Sequence, residues 1–345
     1  MATQSYNTES QRIGKYKGQI LGHAIPQEVS GRFGVKKEIP KNSGDTIILR
    51  RWLPAGATAS SPNIWSVDPA KHTIQEGVTP TAETIKPQDI QATLQEIGVV
   101  YRYTNRVADL YEDDVPAEII QLTGERMGLV QELMRLGVLR ACPNAFYAGG
   151  VLSRSSIVSK ITPNLLRKVA RSLNTNLARR ITSVLDASPK VNTYPIEAAY
   201  VVLCHSDCEA DLRTELPGFK HVSEYGQRQA VHENELGSWE QYRFICTPHM
   251  PVYLAGGGAV GGTGLVSSDT VKIDVYPMIV LSQEAYGDVA LRGKSSLNVG
   301  HQPASQKTKD DPLGQRGVIS ASTYYTCVRL NDMQMAVVEV GVTAL

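Results

Sequence analysis

The chain has 345 residues, 35 Lys/Arg against 34 Asp/Glu, and 42% hydrophobic residues. This length suits roughly two domains, or one domain with large excursions, with a sizeable core. The near-neutral charge excludes a polycation that coats nucleic acid by bulk charge, and no run of about 20 apolar residues is available to span a membrane.

Residues 1–32 are polar and punctuated by Gly14, Gly18, Gly22 and Gly31. They lack a sustained period and read as an arm that orders on a partner. The first dozen residues have neither the basic nor the apolar segment of a secretory signal, so the cytoplasm is the expected compartment. Residues 35–53 are β-rich, with Asn42-Ser43-Gly44-Asp45 as a turn before Thr46-Ile47-Ile48-Leu49. Residues 54–87 are rich in Ala, Gly, Ser, Thr and Pro and show no helix or core strand. Residues 93–103 are β-rich again, so the two runs are expected to pair as a projecting hairpin around a long polar tip.

Asp114 as N-cap and Pro116 in the first turn start the clearest helix. Ile119, Leu122, Met127, Val130, Leu133, Met134 and Val138 give it one apolar face, and it ends before Cys142-Pro143. Gly124 and Gly128 each cost about 1 kcal/mol relative to Ala in a helix, so close packing or a bend is expected there. A second helix is predicted from Thr162-Pro163, with Leu166, Val169, Leu173, Leu177, Ile181 and Val184 as its stripe. Arg167, Lys168, Arg171, Arg179 and Arg180 form its basic face. Residues 194–299 read as mixed α/β, with strands at 198–204, 241–247 and 272–281 and a short helix at 206–215. The last strands, 323–330 and 335–342, are expected to pair through a turn at Asn331-Asp332.

No catalytic constellation survives inspection. Gly256, Gly258 and Gly261 match G-x-G-x-x-G, but a β-rich run follows where a phosphate-binding helix should start. Cys204, His205 and Cys208, with His221, lack the second short-spaced pair of a structural zinc site. His205-Ser206-Asp207 are sequence neighbours that read as a helix cap, not a triad. Glu112-Asp113-Asp114 is accounted for by capping and the helix dipole. The five dispersed cysteines, Cys142, Cys204, Cys208, Cys246 and Cys327, point to reduced thiols. No cofactor or metal is expected.

Charge is segregated along the chain. Residues 1–54 carry nine Lys/Arg and four acids; residues 140–190 carry nine and one. Residues 107–135 carry seven acids against two Arg, and residues 205–240 carry eight against three Lys/Arg. Blocks of opposite sign suit a subunit that docks on copies of itself.

The order of arm, hairpin, long helix, basic helix, mixed α/β unit and closing strands resembles tailed-phage major capsid proteins of the Hong Kong 97 fold. Several stretches resemble one branch, the capsid proteins of short-tailed phages related to coliphage N-four. These include Gly31-Arg32-Phe33-Gly34, Ile39-Pro40-Lys41-Asn42-Ser43-Gly44-Asp45-Thr46 and Leu49-Arg50-Arg51-Trp52-Leu53-Pro54. Gly124-Glu125-Arg126, Cys204-His205-Ser206-Asp207, Ala285-Tyr286-Gly287 and Asp311-Pro312-Leu313-Gly314-Gln315-Arg316-Gly317 continue the series.

The resemblance implies an α+β fold with an N-arm at 1–32 and an extended E-loop at 33–105. It also implies a P-domain at 106–192 and 301–345, with a spine helix at about 115–139, and an A-domain at 193–300. The implied role is a non-enzymatic shell subunit forming hexamers and pentamers in the virion, assembled in the host cytoplasm. Its partners would be itself, portal and scaffolding or decoration proteins, and packaged DNA, with no membrane. Candidate inter-subunit contacts are Lys36, Lys37, Arg50, Arg51, Trp52, Glu125 and Arg126. Candidate DNA-facing residues are Arg167, Lys168, Arg171, Arg179 and Arg180. The alternatives are a bacterial nanocompartment shell of the same fold and, from another class, a cytoplasmic zinc- or nucleotide-dependent enzyme.

Overall fold

The computed structural model describes residues 28–345, apart from 55–56, 58–62, 64, 66, 75, 78–83, 111–113, 186–192, 227–228, 293–297 and 308. Most of the expected arm, Glu112, Asp113 and parts of the hairpin tip lie outside the described residues. The first half contributes strands β1 (Val35–Ile39), β2 (Thr46–Trp52), β3 (Pro87–Thr93) and β4 (Gln95–Thr104), then helices α1 (Asn105–Leu110) and α2 (Val115–Arg140). Strand β5 (Ala145–Tyr147), helix α3 (Pro163–Thr175), strands β6 (Ile181–Leu185) and β7 (Thr193–His205), and helix α4 (Glu209–Glu215) follow. The remainder is strands: β8 (Lys220–His221), β9 (Glu235–Trp239), β10 (Tyr242–Thr247), β11 (Tyr276–Leu281) and β12 (Tyr286–Leu291). The last three are β13 (Asn298–Gln302), β14 (Arg316–Arg329) and β15 (Met335–Val340). The fold is α+β.

Eight strands form the main sheet, in the order β5-β15-β11-β7-β10-β9-β8 with β6 also on β7. The period-two alternation of a strand sorts its side chains to two faces. Tyr200, Val202 and Cys204 of β7, with Ala336, Val338 and Val340 of β15, meet Leu166, Val169 and Leu173 of α3. Val201, Leu203, Met335 and Val337 meet Leu136 and Leu139 at the end of α2 on the opposite face. The second sheet runs β1-β12-β14-β13, with β4 also on β14. Among the described residues, strands β2 and β3 pair only with each other. The strands therefore cross the boundaries implied by the resemblance, since β12 joins β14 while β15 joins β11.

The Asp114 carboxylate accepts from the Ala117 N–H at 3.3 Å, and Pro116 sits in the first turn, so α2 starts as its sequence dictates. Its 26 residues span about 39 Å. A Cβ at Gly128 would collide with the Glu28 carboxylate, which gives that glycine its packing reason; Gly124 faces open space.

Three expectations are corrected. The hairpin partner of β2 is β3, with Thr46 opposite Thr93 and Trp52 opposite Pro87, whereas residues 95–104 pair with β14. The second helix ends at Thr175; Asn176 caps it and Leu177 takes φ 54°. Ile181 and Val184 therefore lie on β6, and Arg179 and Arg180 lie between helix and strand. Residues 316–329 and 335–340 do not form a hairpin, because they belong to different sheets. Asn331 Oδ1 instead accepts from Met333 N–H and caps a 3₁₀ turn between the sheets. The cap expected at His205-Ser206-Asp207 is made by His205, whose Nδ1 accepts from the Asp207 N–H at 3.1 Å at the start of residues 206–208.

One buried ionic junction ties residues 28–30, α2 and the second sheet together. Glu132 accepts from the Val29 and Ser30 N–H groups and from Ser30 Oγ, at 3.2, 2.9 and 2.7 Å. Arg135 Nη1 donates to Glu132 at 2.7 Å, and its Nε to Asp288 at 3.1 Å and the Tyr325 hydroxyl at 2.9 Å. Lys36 Nζ reaches Asp288 at 2.9 Å, and the Tyr286 hydroxyl donates to the Ser30 carbonyl. Burial alone would raise the Asp288 carboxyl; Arg135 and Lys36 outweigh it and hold it below its ordinary value.

A depressed carboxyl contributes stability above its unfolded value of about 4, and that contribution is lost as pH falls through the folded value. Glu28 and Glu235 run the other way, since burial raises both. Thermal unfolding is therefore expected to show stability held or slightly raised from pH 7 to about 5, then falling below about pH 4. Asp288→Asn is expected to flatten that acid limb and to cost about 3–5 kcal/mol at neutral pH, as removal of one partner of a buried ion pair does.

Candidate assembly surfaces

A strand pair alternates sides, and the β2–β3 hairpin has little on either side to bury. Ala92 packs with Ile39 and Val289, and Ile47 and Leu94 border that small cluster. Ile48 and Trp52 face outward, 56% and 64% exposed. Toward the tip, Trp65, Val67, Ile74 and Ile85 are exposed as well, although Asp68 caps an ordered 3₁₀ turn at Pro69–His72. Ile48 and Trp52, four apart on one strand, leave it on the same side, which makes the hairpin a candidate docking surface. The signal was present in the sequence as isolated Trp and Ile within a polar stretch.

Most of the charges expected to reach a neighbour already have partners in their own chain. Arg50 makes two hydrogen bonds to its cross-strand partner Asp89, at 2.7 and 2.9 Å, which raises the Arg50 pKa and lowers that of Asp89. Arg51 donates to Gln88 Oε1 at 2.9 and 2.6 Å, and burial lowers its pKa. Lys36 is held by Asp288 as described above. Glu125 accepts from Gln121 one turn earlier at 3.1 Å, and Arg126 donates to the Tyr101 hydroxyl at 2.8 Å while lying over its ring. Lys37 and Trp52 remain exposed. Lys37, Arg50, Arg51 and Glu284 line a cleft of about 390 Å³ where the hairpin leaves the body.

The basic surface divides in the same way. Arg167 donates to Glu240 at 2.9 and 2.7 Å and covers the Trp239 indole; Arg180 donates to Gln241 at 2.6 Å and lies over Tyr200. Both clasp the tight β9–β10 turn, where Glu240 takes φ 48°. Lys168 lies over Phe146, and Arg171 and Arg179 are exposed. All five lie on α3 or in the turn that follows, but Arg167 and Arg180 turn toward the β9–β10 turn and Lys168 toward β5.

The motifs set aside on sequence have structural employment. Gly257 N–H donates to Ile273 O at 3.0 Å and Gly258 N–H to Ile157 O at 2.8 Å, so these backbone donors are used within the fold. His221 caps residues 222–224, its Nδ1 accepting from the Ser223 N–H at 3.3 Å. Asp207 accepts from the Tyr276 hydroxyl at 3.0 Å. Buried ion pairs were not legible in advance; Arg154 grips Glu339 at 2.7 and 2.6 Å and stacks on Tyr253.

No protein-family model and no curated protein matches the sequence. Solved structures do. The capsid of Ralstonia phage GP4 superposes with a TM-score of 0.68 at 10% identity, covering 99% of each chain. The capsid of cyanophage P-SCSP1u gives 0.60 at 11% identity, covering 96% of this chain and 93% of that one. The capsid asymmetric unit of cyanophage Pam1 gives 0.59 at 12% identity over the whole of both chains. The chain has the fold of these phage capsid subunits from end to end.

Because Ile48 and Trp52 are mostly exposed, the double substitution Ile48→Ser, Trp52→Ala is expected to change the stability of unassembled subunits by no more than about 0.5 kcal/mol. Denaturant unfolding of the unassembled chain measures this. A larger loss would mean that the hairpin packs on its own body.

Proposed function

We propose that this chain is the major capsid protein of a tailed phage, a structural subunit and not an enzyme. It forms hexamers and pentamers that close into an icosahedral shell around packaged double-stranded DNA. The observation that carries this reading is end-to-end similarity to phage capsid subunits, with no large part of the chain left over for another activity.

In this role the β2–β3 hairpin is the extended E-loop, within residues 33–105, and α2 is the spine helix of a P-domain at 106–192 and 301–345. Residues 193–300 form the A-domain that points to the capsomer centre. The physical argument for docking is direct. A two-stranded hairpin alone is marginally stable in water, and burying an exposed Trp or Ile is worth about 1.5–3 kcal/mol. A neighbouring subunit supplies the missing surface for Ile48, Trp52 and the apolar residues of the tip. Lys37 and the exposed edges of Lys36, Arg50, Arg51, Glu125 and Arg126 rim the contact. Portal, scaffolding and decoration proteins complete the particle in the host cytoplasm.

Lys168, Arg171 and Arg179 are the cations available to DNA phosphates, with Arg167 and Arg180 beside them. Such contacts neutralise charge without reading sequence.

Negative-stain microscopy of the purified protein is expected to show closed shells, tubes or capsomers; a discrete small oligomer carrying stoichiometric zinc or nucleotide would sink the proposal. Replacing residues 54–86 by a short turn should leave the body folded by circular dichroism and abolish shells. Exchanging Lys168, Arg171 and Arg179 for Gln should weaken non-specific DNA binding and make the salt dependence of log K shallower, by up to about 0.9 for each phosphate no longer neutralised. An unchanged slope would remove this face from the DNA-binding surface.

A further inference from the structure

Cys204 of β7 and Cys246 of β10 are direct partners in a parallel pair, so their side chains leave the same face of the main sheet. Their sulfurs lie 3.4 Å apart. Neighbouring strands are about 4.8 Å apart, inside the Cα separation of about 4.4–6.8 Å that a disulfide bridges. The bond can therefore close by side-chain rotation, without moving either strand.

The two thiols are not equivalent. Cys204 is wholly buried and also donates to the Ile245 carbonyl at 3.5 Å. Its hydrogen bond with Cys246 and its burial both push its thiol up, away from thiolate. Cys246 is partly exposed at the margin of the same cluster. An oxidant in solvent meets Cys246 first, and the nearest nucleophile to the product is Cys204. Cys208, at the N-terminal end of α4, is buried nearby and is the competing partner.

We propose that Cys204 and Cys246 form an oxidant-gated disulfide, closed by hydrogen peroxide or another hydroperoxide. The Cys246 thiolate attacks one peroxide oxygen and the O–O bond breaks. Cys246 becomes a sulfenic acid, and the departing hydroxide takes up the thiol proton as water. Cys204 then attacks the Cys246 sulfur; the S–S bond forms and the S–O bond breaks. Hydroxide leaves with the Cys204 proton as a second water. Two thiols lose two electrons in total and the peroxide gains them. Under a glutathione-reducing cytoplasm the pair stays as thiols.

The closed bond would tie β7 to β10 around the intervening segment, which holds α4, β8 and β9. Strands β9 and β8 extend the main sheet beyond β10 to its edge, so the bond closes a loop that contains this edge. Cross-linking of this kind restricts the unfolded chain and raises stability.

The test is peptide mapping of the full-length purified protein after treatment with hydrogen peroxide, alkylation of remaining thiols and non-reducing digestion. Two of the five thiols should become unreactive, in a peptide pair joining Cys204 to Cys246 and separable by dithiothreitol. The melting temperature should rise by a few degrees on oxidation and return on reduction. Cys208→Ser and Cys142→Ser should keep the link, and Cys246→Ser should lose it. The wild-type map decides the matter even if a variant misfolds. Five free thiols after oxidation, Cys246 ending as a sulfinic acid, or a link through Cys208 would overturn the proposal.

Discussion

Arg135 is the charge on which four stretches of chain converge. Ser30, Glu132 on α2, Asp288 on β12 and Tyr325 on β14 all lie within hydrogen-bonding distance of its guanidinium. Taking an arginine and two carboxylates out of water costs several kcal/mol per ion, recovered only where geometry and further hydrogen bonds are good. Here Glu132 is further satisfied by two backbone N–H groups and a hydroxyl, and Asp288 by Lys36 and the Tyr325 hydroxyl. The crowding extends to the backbone. A Cβ at Gly31 would press on the Arg135 guanidinium, and one at Gly34 would strike the Tyr286 ring. With residues 28–34 seated this way, β1 is laid parallel to β12, and the direction in which the hairpin leaves the body follows.

That junction separates two energetic regimes. Behind it, α2, α3 and the main sheet bury large side chains on both faces of one sheet. Beyond it, the hairpin has seven cross-strand pairs and one buried apolar residue, Ala92, while Ile48 and Trp52 face solvent. In the proposed role the hairpin gains the contacts it lacks from the subunit it lies on. A shell subunit needs this division, because assembly must add contacts without refolding what makes them. Separated acidic and basic blocks along the chain favour that encounter between copies.

Much of the architecture was legible in the sequence where local chemistry and global packing agree. Asp114 and Pro116 start α2, Thr162 and Pro163 start α3, and the apolar spacing of both helices is regular. Misreadings arose where one pattern fits two structures. Leu173, Leu177, Ile181 and Val184 keep helical spacing, yet Asn174-Thr175-Asn176 stops the helix and the β-branched residues that follow join a sheet. Strand β3, Pro-Gln-Asp-Ile-Gln-Ala-Thr, has little apolar signal because neither of its faces is deeply buried. Asn331-Asp332 looked like a hairpin turn and instead carries the chain from one sheet to the other. Nothing local in the sequence marks Glu132, Arg135, Asp288 and Glu339 as buried, since most of their partners lie over 100 residues away. Subunits of the same fold share only 10–12% of their residues with this chain, so few individual residue identities carry the architecture.

Completion of the hairpin by a second copy of the chain is what the assembly role stands or falls on. Hydrogen exchange of residues 46–52 and 87–93 reads this out, comparing dissociated subunits with assembled particles in the same buffer. Rapid exchange is expected in the free subunit and strong protection on assembly, with β7 and β11 protected equally in both states. Equal protection of the hairpin in both states would contradict it.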